Sequence, residues 1–352
     1  MLSFRRRGPL LTLGVVLLLL RAPVEAQNLV FSIFETYLQQ LQVQAGIPGL
    51  SAAIVQDGRI LWSAGFGLRS LEGNLPATAD TPYAIADLTQ TMTAGLLLHC
   101  VERGEVRFED PIGKWFSAAE SPGTNIRQLL THASATSTSG FRYSPTRFAL
   151  LAYPIEACMG QPFRKVVARD VLQLLVMRDA APGLDITART AELLQLFDEP
   201  ALNDYGAAIQ RMAVPYKLDR NRRPVKSQLP SAGLDASYGV IASVRDLAEF
   251  DKGLSIWLRP ETLALSWTNV VNNGVTSPFG LGWFVQTYQG EKLVWHFGYS
   301  ADAGSSLMLK VPGRHLTLIL LANSDGLSAP YSLSDGDVTS SVFARTFLRL
   351  FL

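Results

Sequence analysis

The sequence has little net charge, little cysteine and little histidine, and each scarcity excludes a class of protein. A formal net charge of +1 over 352 residues gives no electrostatic basis for a nucleic-acid partner. The 4 histidines are scattered and form no H-x-H-x-D pattern, so we expect neither a metal centre nor a cofactor. Only Cys100 and Cys158 are present, both in apolar, helix-like surroundings. We predict two buried thiols rather than a bridge, although an exported protein permits a bridge.

Long apolar runs are also missing, except for a short one near the N terminus. Three arginines at positions 5–7 precede an apolar run from Pro9 to Leu20, and small Ala26 follows. This arrangement is typical of a signal peptide and predicts cleavage after Ala26. The run is shorter than the ~20 residues that span a bilayer, so an uncleaved anchor is the less favoured alternative. We expect residues 1–26 to be the signal peptide of an exported protein, periplasmic or extracellular, with no stable membrane span after cleavage.

Helical and strand-like patterns alternate along the rest of the chain. Asp57-Gly58 separates two strand-like runs and predicts a hairpin, because both turn residues must tolerate a positive φ. The apolar segment Leu88–Arg103 predicts a buried helix with Gly104 as its cap. Further helices are predicted at 30–45, 243–254 and 338–350, and further strands at 279–288, 292–295, 305–311 and 315–322.

This order of elements predicts an α+β fold, in which an antiparallel sheet is flanked by helices and a mainly helical lobe is inserted. We expect one domain over residues 27–352. Residues 27–105 and 236–352 would form its α/β lobe and residues 106–235 its helical lobe, with a loop at 133–140. A pocket is expected where the two lobes meet.

Six short segments occur in an order and spacing that is typical of one enzyme group. They are Tyr83-Ala-Ile-Ala, Asp110-Pro-Ile, Ile126-Arg-Gln-Leu-Leu-Thr-His, Phe141-Arg-Tyr-Ser, Phe279-Gly-Leu-Gly-Trp and His296-Phe-Gly. With them, nearly the whole chain after residue 26 resembles the serine β-lactamase and penicillin-binding-protein family. That family includes class C β-lactamases, D-alanyl-D-alanine carboxypeptidases and related esterases. The resemblance implies the β-lactamase/transpeptidase-like fold and a cleft between the lobes.

The resemblance also implies three catalytic motifs. A serine at the start of the buried helix attacks the acyl carbonyl, and a lysine three positions later, in S-x-x-K, tunes proton transfer. A Tyr-x-Asn motif supplies a phenol and an amide, and a Lys/His-x-Gly motif on a strand lines the opposite wall. Backbone N–H groups at the serine and just beyond the third motif form the oxyanion hole.

The first motif is missing from this sequence. Asp87 and Gln90 stand at the positions of the serine and the lysine, and none of the 7 lysines has a serine three positions before it. Attack by an Asp carboxylate would give a mixed anhydride, and its charge would lie beside donors that serve the transition state. Gln90 is neither a base nor a cation. We therefore do not expect acyl-enzyme catalysis.

The second and third motifs are kept in part. Tyr143-Ser-Pro145 retains the phenol, but Pro145 has neither the amide nor a backbone N–H. His296-Phe-Gly298 fits the third motif, so Tyr143 and His296 are candidate catalytic residues. Pro145, Gly298 and the following Tyr299 are candidate substrate-binding residues.

Asp87 and Gln90 also fit a structural role. Asp is a favoured N-cap, and a Gln three positions later can bond back to the N–H of the cap residue. The pattern D-x-x-Q thus predicts a capping box at the helix start, with a typical contribution of ~1 kcal/mol. We prefer this interpretation to a catalytic role for Asp87.

Three functions remain open on these residues. The preferred one is a catalytically inactive protein that binds a peptide, a cell-wall fragment or a partner protein in the cleft. The second is an active hydrolase of esters, amides or β-lactams, in which Asp87, Tyr143 and His296 converge and water replaces the serine. The third is a structural or interaction protein with a collapsed cleft. Fold alone does not separate them, because function depends on the site.

Overall fold

In a computed structural model, the protein is described over residues 11–134, 140–221, 223–231, 233–272 and 274–352. Most of the predicted loop at 133–140 and the first ten residues of the predicted signal peptide lie outside these ranges. The predicted cleavage after Ala26 falls inside the continuous helix α1 (Leu11–Ala45) and stays a prediction. No helix within the described ranges is long and apolar enough to cross a membrane.

Helices lie at both ends of the chain and through its middle. After α1 they are α2 (Thr89–Glu102), α3 (Ile126–Leu130), α4 (Pro145–Phe148), α5 (Ala152–Met159), α6 (Phe163–Val166), α7 (Ala191–Leu196), α8 (Glu199–Gln210), α9 (Val244–Trp257), α10 (Pro260–Ser266) and α11 (Val342–Phe351). The predicted helix 243–254 is confirmed as α9, and Ser243 caps it in a capping box with Asp246.

Strands near both ends of the chain meet in one large sheet, and short strands elsewhere form smaller sheets. The described strands are β1 (Gly49–Gln56), β2 (Arg59–Ser70), β3 (Leu75–Pro76), β4 (Tyr83–Ala84), β5 (Ala181–Pro182), β6 (Tyr216–Leu218), β7 (Pro224–Lys226), β8 (Val240–Ala242), β9 (Val271–Asn272), β10 (Val275–Thr276), β11 (Phe284–Tyr288), β12 (Glu291–Ser300), β13 (Gly304–Val311) and β14 (Leu316–Ala322). The 7-stranded sheet has the order β11-β12-β13-β14-β1-β2-β3, and its neighbouring strands are antiparallel.

The predicted hairpin and buried helix are both confirmed. Asp57 and Gly58 have φ values of 51° and 71°, so they make the turn between β1 and β2. The buried helix is α2, and Gly104, with φ 74°, follows its end. Gly104 has open space around it, so its conformation and not a close contact favours glycine there.

Apolar side chains cover the sheet on both faces. On one face, Phe34 of α1 and Phe347 of α11 pack with strand residues such as Leu320. On the other face, α2, α9 and the helical segment between them share a larger core with residues such as Met308. The α+β fold class is thereby confirmed, because each face of the sheet needs a helical layer to exclude water from its apolar side chains.

The predicted strand 279–288 begins later than the sequence pattern indicates. Only Phe284–Tyr288 is strand, and Phe279–Trp283 turns past the side of α2. Gly282 has φ 85°, and a side chain there would overlap that of Ala94. The alternating apolar pattern therefore reflects burial of a loop against a helix, which sequence periodicity does not separate from a strand.

The prediction of two separate thiols is wrong, because Cys100 and Cys158 form a disulfide. Cys100 lies in α2 and Cys158 in α5, and these two helices pack side by side. Each local pattern correctly indicated a helix with apolar neighbours. The pairing depends on which helices meet, which local pattern does not specify.

We expect the disulfide between α2 and α5 to stabilise the fold. It closes a loop of 58 residues, for which the chain-entropy relation gives about 4 kcal/mol. Dithiothreitol should lower the urea midpoint of the protein, while a Cys100→Ala/Cys158→Ala variant should be insensitive to it. Two free thiols titrated in the unfolded, unreduced protein would contradict the pairing.

Candidate functional site

Asp87 lies in a short 3-10 turn, Ala86–Leu88, that leads into α2. Ala86 has φ 50°, a left-handed conformation that is uncommon for a residue with a side chain. The turn packs directly on β12: a side chain at Gly298 would overlap the Ile85 carbonyl oxygen and Ser306 Oγ. Glycine at the third motif is therefore required by the close approach of the two backbones.

The Asp87 carboxylate turns toward β12 and not toward its own helix. Its Oδ2 accepts a hydrogen bond from the Tyr299 backbone N–H at 3.1 Å, and the Asp87 side chain is only 7% exposed. The resemblance places one oxyanion-hole donor at the residue after His296-Phe-Gly298, which is Tyr299. The carboxylate thus accepts from the Tyr299 N–H, a donor that in the family pattern is available to an oxygen atom of the ligand.

The predicted capping box is wrong. The N-cap of α2 is Leu88, with no side-chain cap hydrogen bond, because the 3-10 turn already supplies helical backbone in front of α2. Asp87 bonds instead to Tyr299, and both ends of the Gln90 amide bond to other residues. The D-x-x-Q pattern is real, but close packing of β12 offers the carboxylate a better partner.

Gln90 is fully buried and links two rings. Its Nε2 donates to the Tyr143 hydroxyl at 2.9 Å, and its Oε1 lies 3.0 Å from His132 Nε2. The Ser144 backbone N–H donates to His132 Nδ1 at 3.1 Å, so Nδ1 must carry a lone pair. A neutral ring with its proton on Nε2 satisfies both contacts, and burial lowers the pKa of His132 well below its usual range.

The Tyr143 phenol keeps its own proton. Burial, and then the nearby Asp87 carboxylate, raises the pKa of Tyr143 well above its usual range. Because its oxygen accepts from Gln90, its O–H is the group that remains to donate into the cleft. The position of the family's lysine thus holds a neutral amide that orients a neutral phenol.

Asp87 titrates close to neutral pH. Burial raises its pKa to about 7; hydrogen bonds from the Tyr299 and Asp87 backbone N–H groups oppose the shift, and the Asp235 carboxylate adds to it. No cation contributes to the shift, and none of the ion pairs among the described residues includes Asp87.

His296 is not joined to Asp87 by any hydrogen bond in the described part of the chain. Its Nδ1 bonds to the Phe297 carbonyl oxygen at 2.8 Å, and its Nε2 is buried without a partner among the described residues. Burial lowers the pKa of His296 to about 4, so the ring is neutral at pH 7. Tyr143 lies nearby, with its ring centroid 6.1 Å from that of His296.

These residues border an open cleft of about 830 Å³, in the usual size range of ligand pockets. Pro145 lines it as the first residue of α4, a position where the missing N–H costs nothing. The lining residues are Asp87, Phe141, Arg142, Tyr143, Pro145, Phe297, Tyr299, Ser328, Ala329, Tyr331, Leu333, Ser334 and Asp335. An open cleft does not fit the third predicted function, which requires a collapsed one.

Comparison with known families supports the resemblance. A profile described as Beta-lactamase matches residues 34–334. The chain belongs to this Beta-lactamase family. Protein flp from Staphylococcus aureus (strain MW2) is 23% identical over 335 residues, covering 87% of this chain, which in turn spans 65% of that protein's length.

Solved structures share the fold. The octameric penicillin-binding protein homologue from Pyrococcus abyssi has a TM-score of 0.69 and 21% identity, covering 91% of this chain and 77% of that chain. A class C beta lactamase has a TM-score of 0.69 and 15% identity, covering 93% and 99%. At these identities the similarity shows that this member of the Beta-lactamase family shares their fold. The chemistry of its site depends on the residues described above.

Two parts of the cleft were not anticipated from the sequence. His132 ends the segment Ile126-Arg-Gln-Leu-Leu-Thr-His, and no local pattern indicates that its ring contacts Gln90. The wall formed by 328–335 follows β14 and carries Ser, Pro, Tyr and Asp residues. The composition of residues 328–335 is typical of a loop, but no local sequence pattern indicates that this loop lines the same cleft as Tyr143.

Replacement of Gln90 should destabilise the fold. Gln90→Met keeps the size but leaves His132 Nε2–H and the Tyr143 hydroxyl without this partner, at a cost of about 1–3 kcal/mol. Urea unfolding would measure the loss. The matched control is Gln173→Met, because exposed Gln173 makes a longer bond of 3.4 Å to the Tyr205 hydroxyl. Equal effects of the two substitutions would contradict a buried network at Gln90.

Ionisation of Asp87 should weaken the fold as pH rises. The folded protein holds this proton more tightly than the unfolded chain, so stability falls from about pH 4 to pH 7 and is level above that. Asp87→Asn should remove this loss, which is on the order of a few kcal/mol at pH 8. Urea unfolding between pH 4 and 8 tests it, with exposed Asp204→Asn as the control. An unchanged pH profile in Asp87→Asn would contradict the assignment.

Proposed function

We propose that this Beta-lactamase family member binds a peptide, a cell-wall fragment or a partner protein in its cleft and does not turn it over. The observation that carries the proposal is the hydrogen bond from the Tyr299 N–H to the Asp87 carboxylate. It puts a negative group where the family resemblance places the developing oxyanion, so acyl transfer loses both its nucleophile and one of its stabilising donors.

The Gln90 network supports the same proposal. A lysine at that position would be able to accept or donate protons beside the nucleophile, whereas an amide does neither. Gln90 instead uses its carbonyl and its NH2 group to fix His132 and Tyr143. The site is thereby held open and rigid by neutral hydrogen bonds, which suits reversible binding.

An altered hydrolase is the second candidate. A pKa of about 7 suits Asp87 to general-base catalysis with a water as nucleophile. The predicted cooperation of Asp87 with His296 has less support, because the His296 Nδ1 is bonded to the Phe297 carbonyl and the ring does not line the cleft. Export from the cytoplasm remains part of the proposal, and the Cys100–Cys158 disulfide supports it because such bonds persist in oxidising compartments.

We expect no covalent adduct with a fluorescent penicillin, since Asp87 offers no stable acyl-acceptor. Mass spectrometry of the intact protein after incubation would check this. Muropeptides or other reversible ligands should raise the melting temperature without mass change. Ester or β-lactam turnover that is lost in Asp87→Ala would contradict the proposal and favour the altered hydrolase.

A double substitution tests whether the absent first motif alone prevents acylation or whether other changes in the site also prevent it. Asp87→Ser/Gln90→Lys frees the Tyr299 N–H and restores both residue types of the first motif. We expect slow labelling by the fluorescent penicillin, because the cleft and the Tyr143 phenol remain and a lysine amine can donate to the Tyr143 oxygen in place of the Gln90 amide. The single variant Asp87→Ser is the control and should stay unlabelled, because its hydroxyl has no base.

A further inference from the structure

The chemistry of the cleft suggests which ligands it takes, provided that the proposed binding function holds. We propose that the ligand carries a protonated amine, which sits on the Asp87 carboxylate while the adjoining apolar part packs against the aromatic walls of the cleft. The primary or secondary ammonium group is the recognised chemistry. A peptide amino terminus and a lysine side chain are two sources of it.

The floor of the cleft holds a carboxylate with no cationic partner. Asp87 is more than nine-tenths buried, yet its described contacts are hydrogen bonds and none is an ion pair. A buried carboxylate is favoured only when it is paired, so a ligand cation would supply what the fold lacks. An anionic ligand would instead place like charges together in a partly dehydrated site.

The charged groups that act on this region are mostly carboxylates. Burial raises the pKa of Tyr238 most, and the carboxylates of Asp87 and Asp235 raise it further. The Tyr238 hydroxyl contacts Ser300 Oγ. Asp235 also raises the pKa of Asp87 itself. The described groups that interact with Asp87 by charge or hydrogen bond include Gln90 on α2, Tyr143 before α4, Asp235 and Tyr238 before β8, and the Tyr299 backbone N–H on β12.

Carboxylates also lie at the rim of the cleft. Burial raises the pKa of the Tyr299 phenol most, and the nearby Asp325 and Asp302 carboxylates raise it further. Asp335 is an exposed residue that lines the cleft. Among the described lining residues, Arg142 is the only cation; its side chain is exposed and makes no described ion pair with Asp87. The electrostatic potential of the site therefore favours a cation at its floor.

Aromatic rings line the same cleft. Tyr143 and Phe297 have ring centroids 5.4 Å apart, and Tyr299 and Tyr331 also line the cleft. Ring faces attract ammonium groups through their quadrupole and exclude water from an apolar ligand body. A carboxylate floor with aromatic sides is thus complementary to an amine that carries an aryl or alkyl group. A neutral amide has no positive charge for the carboxylate or the ring faces to attract.

The test compares three small probes of similar shape: 2-phenylethylamine, N-acetyl-2-phenylethylamine and 3-phenylpropionate. Titration calorimetry on the full chain at pH 8 should show at least tenfold tighter binding of the amine than of either other probe. Affinity for the amine should rise from pH 6 to pH 8, since the amine stays charged while Asp87 ionises around pH 7. Below pH 7, binding should release protons, which buffers of different ionisation enthalpy reveal.

Variants identify the residue responsible. Asp87→Asn should abolish the preference for the amine, whereas Asp204→Asn, on α8 outside the cleft, should keep it. Three outcomes would each overturn the inference. They are equal binding of the amine and its acetyl derivative, retention of the preference for the amine in Asp87→Asn, and no binding of the amine. Muropeptide binding without amine preference would leave the proposed function standing. Penicillin turnover would overturn the proposed function instead.

Discussion

The hydrogen bond between the Asp87 carboxylate and the Tyr299 backbone N–H joins two residues that are 212 positions apart in the chain. It crosses the place where the turn before α2 meets β12, and glycine at 298 allows the two backbones to come that close. Because the Asp87 carboxylate is buried, the Tyr299 N–H offsets part of the cost of removing that carboxylate from water. This contact fixes the orientation of the Asp87 carboxylate at the cleft.

Charge is the property that the substitutions change most. The family motif pairs a neutral serine with a cationic lysine, whereas this chain pairs an acidic Asp87 with a neutral Gln90. The polarity of the site is therefore inverted relative to the family pattern. Burial raises the pKa of Asp87 to about 7, and no cation among the described residues opposes this shift, so the pKa reflects the energetic cost of the inversion.

Neutral hydrogen bonds keep the rest of the site in order. Gln90 orients His132 and Tyr143 through hydrogen bonds, while burial keeps both rings neutral. The Cys100–Cys158 bond ties α2 to α5. The walls of the cleft are thus anchored to the core on both sides. The cleft is open although the serine and the lysine of the family motif are absent, and this is the combination that the proposed binding function needs.

The sequence by itself determined the fold class, the hairpin at Asp57-Gly58, the buried helix α2 and the absence of the serine and lysine. These depend on periodicity, turn chemistry and residue identity, which are local properties. Tertiary structure alone decided that Cys100 pairs with Cys158 and that Asp87 bonds to Tyr299 instead of capping α2. It also decided that Gln90 joins His132 to Tyr143. Each of these contacts joins distant segments, and a local pattern carries no information on which surfaces the folded chain brings together.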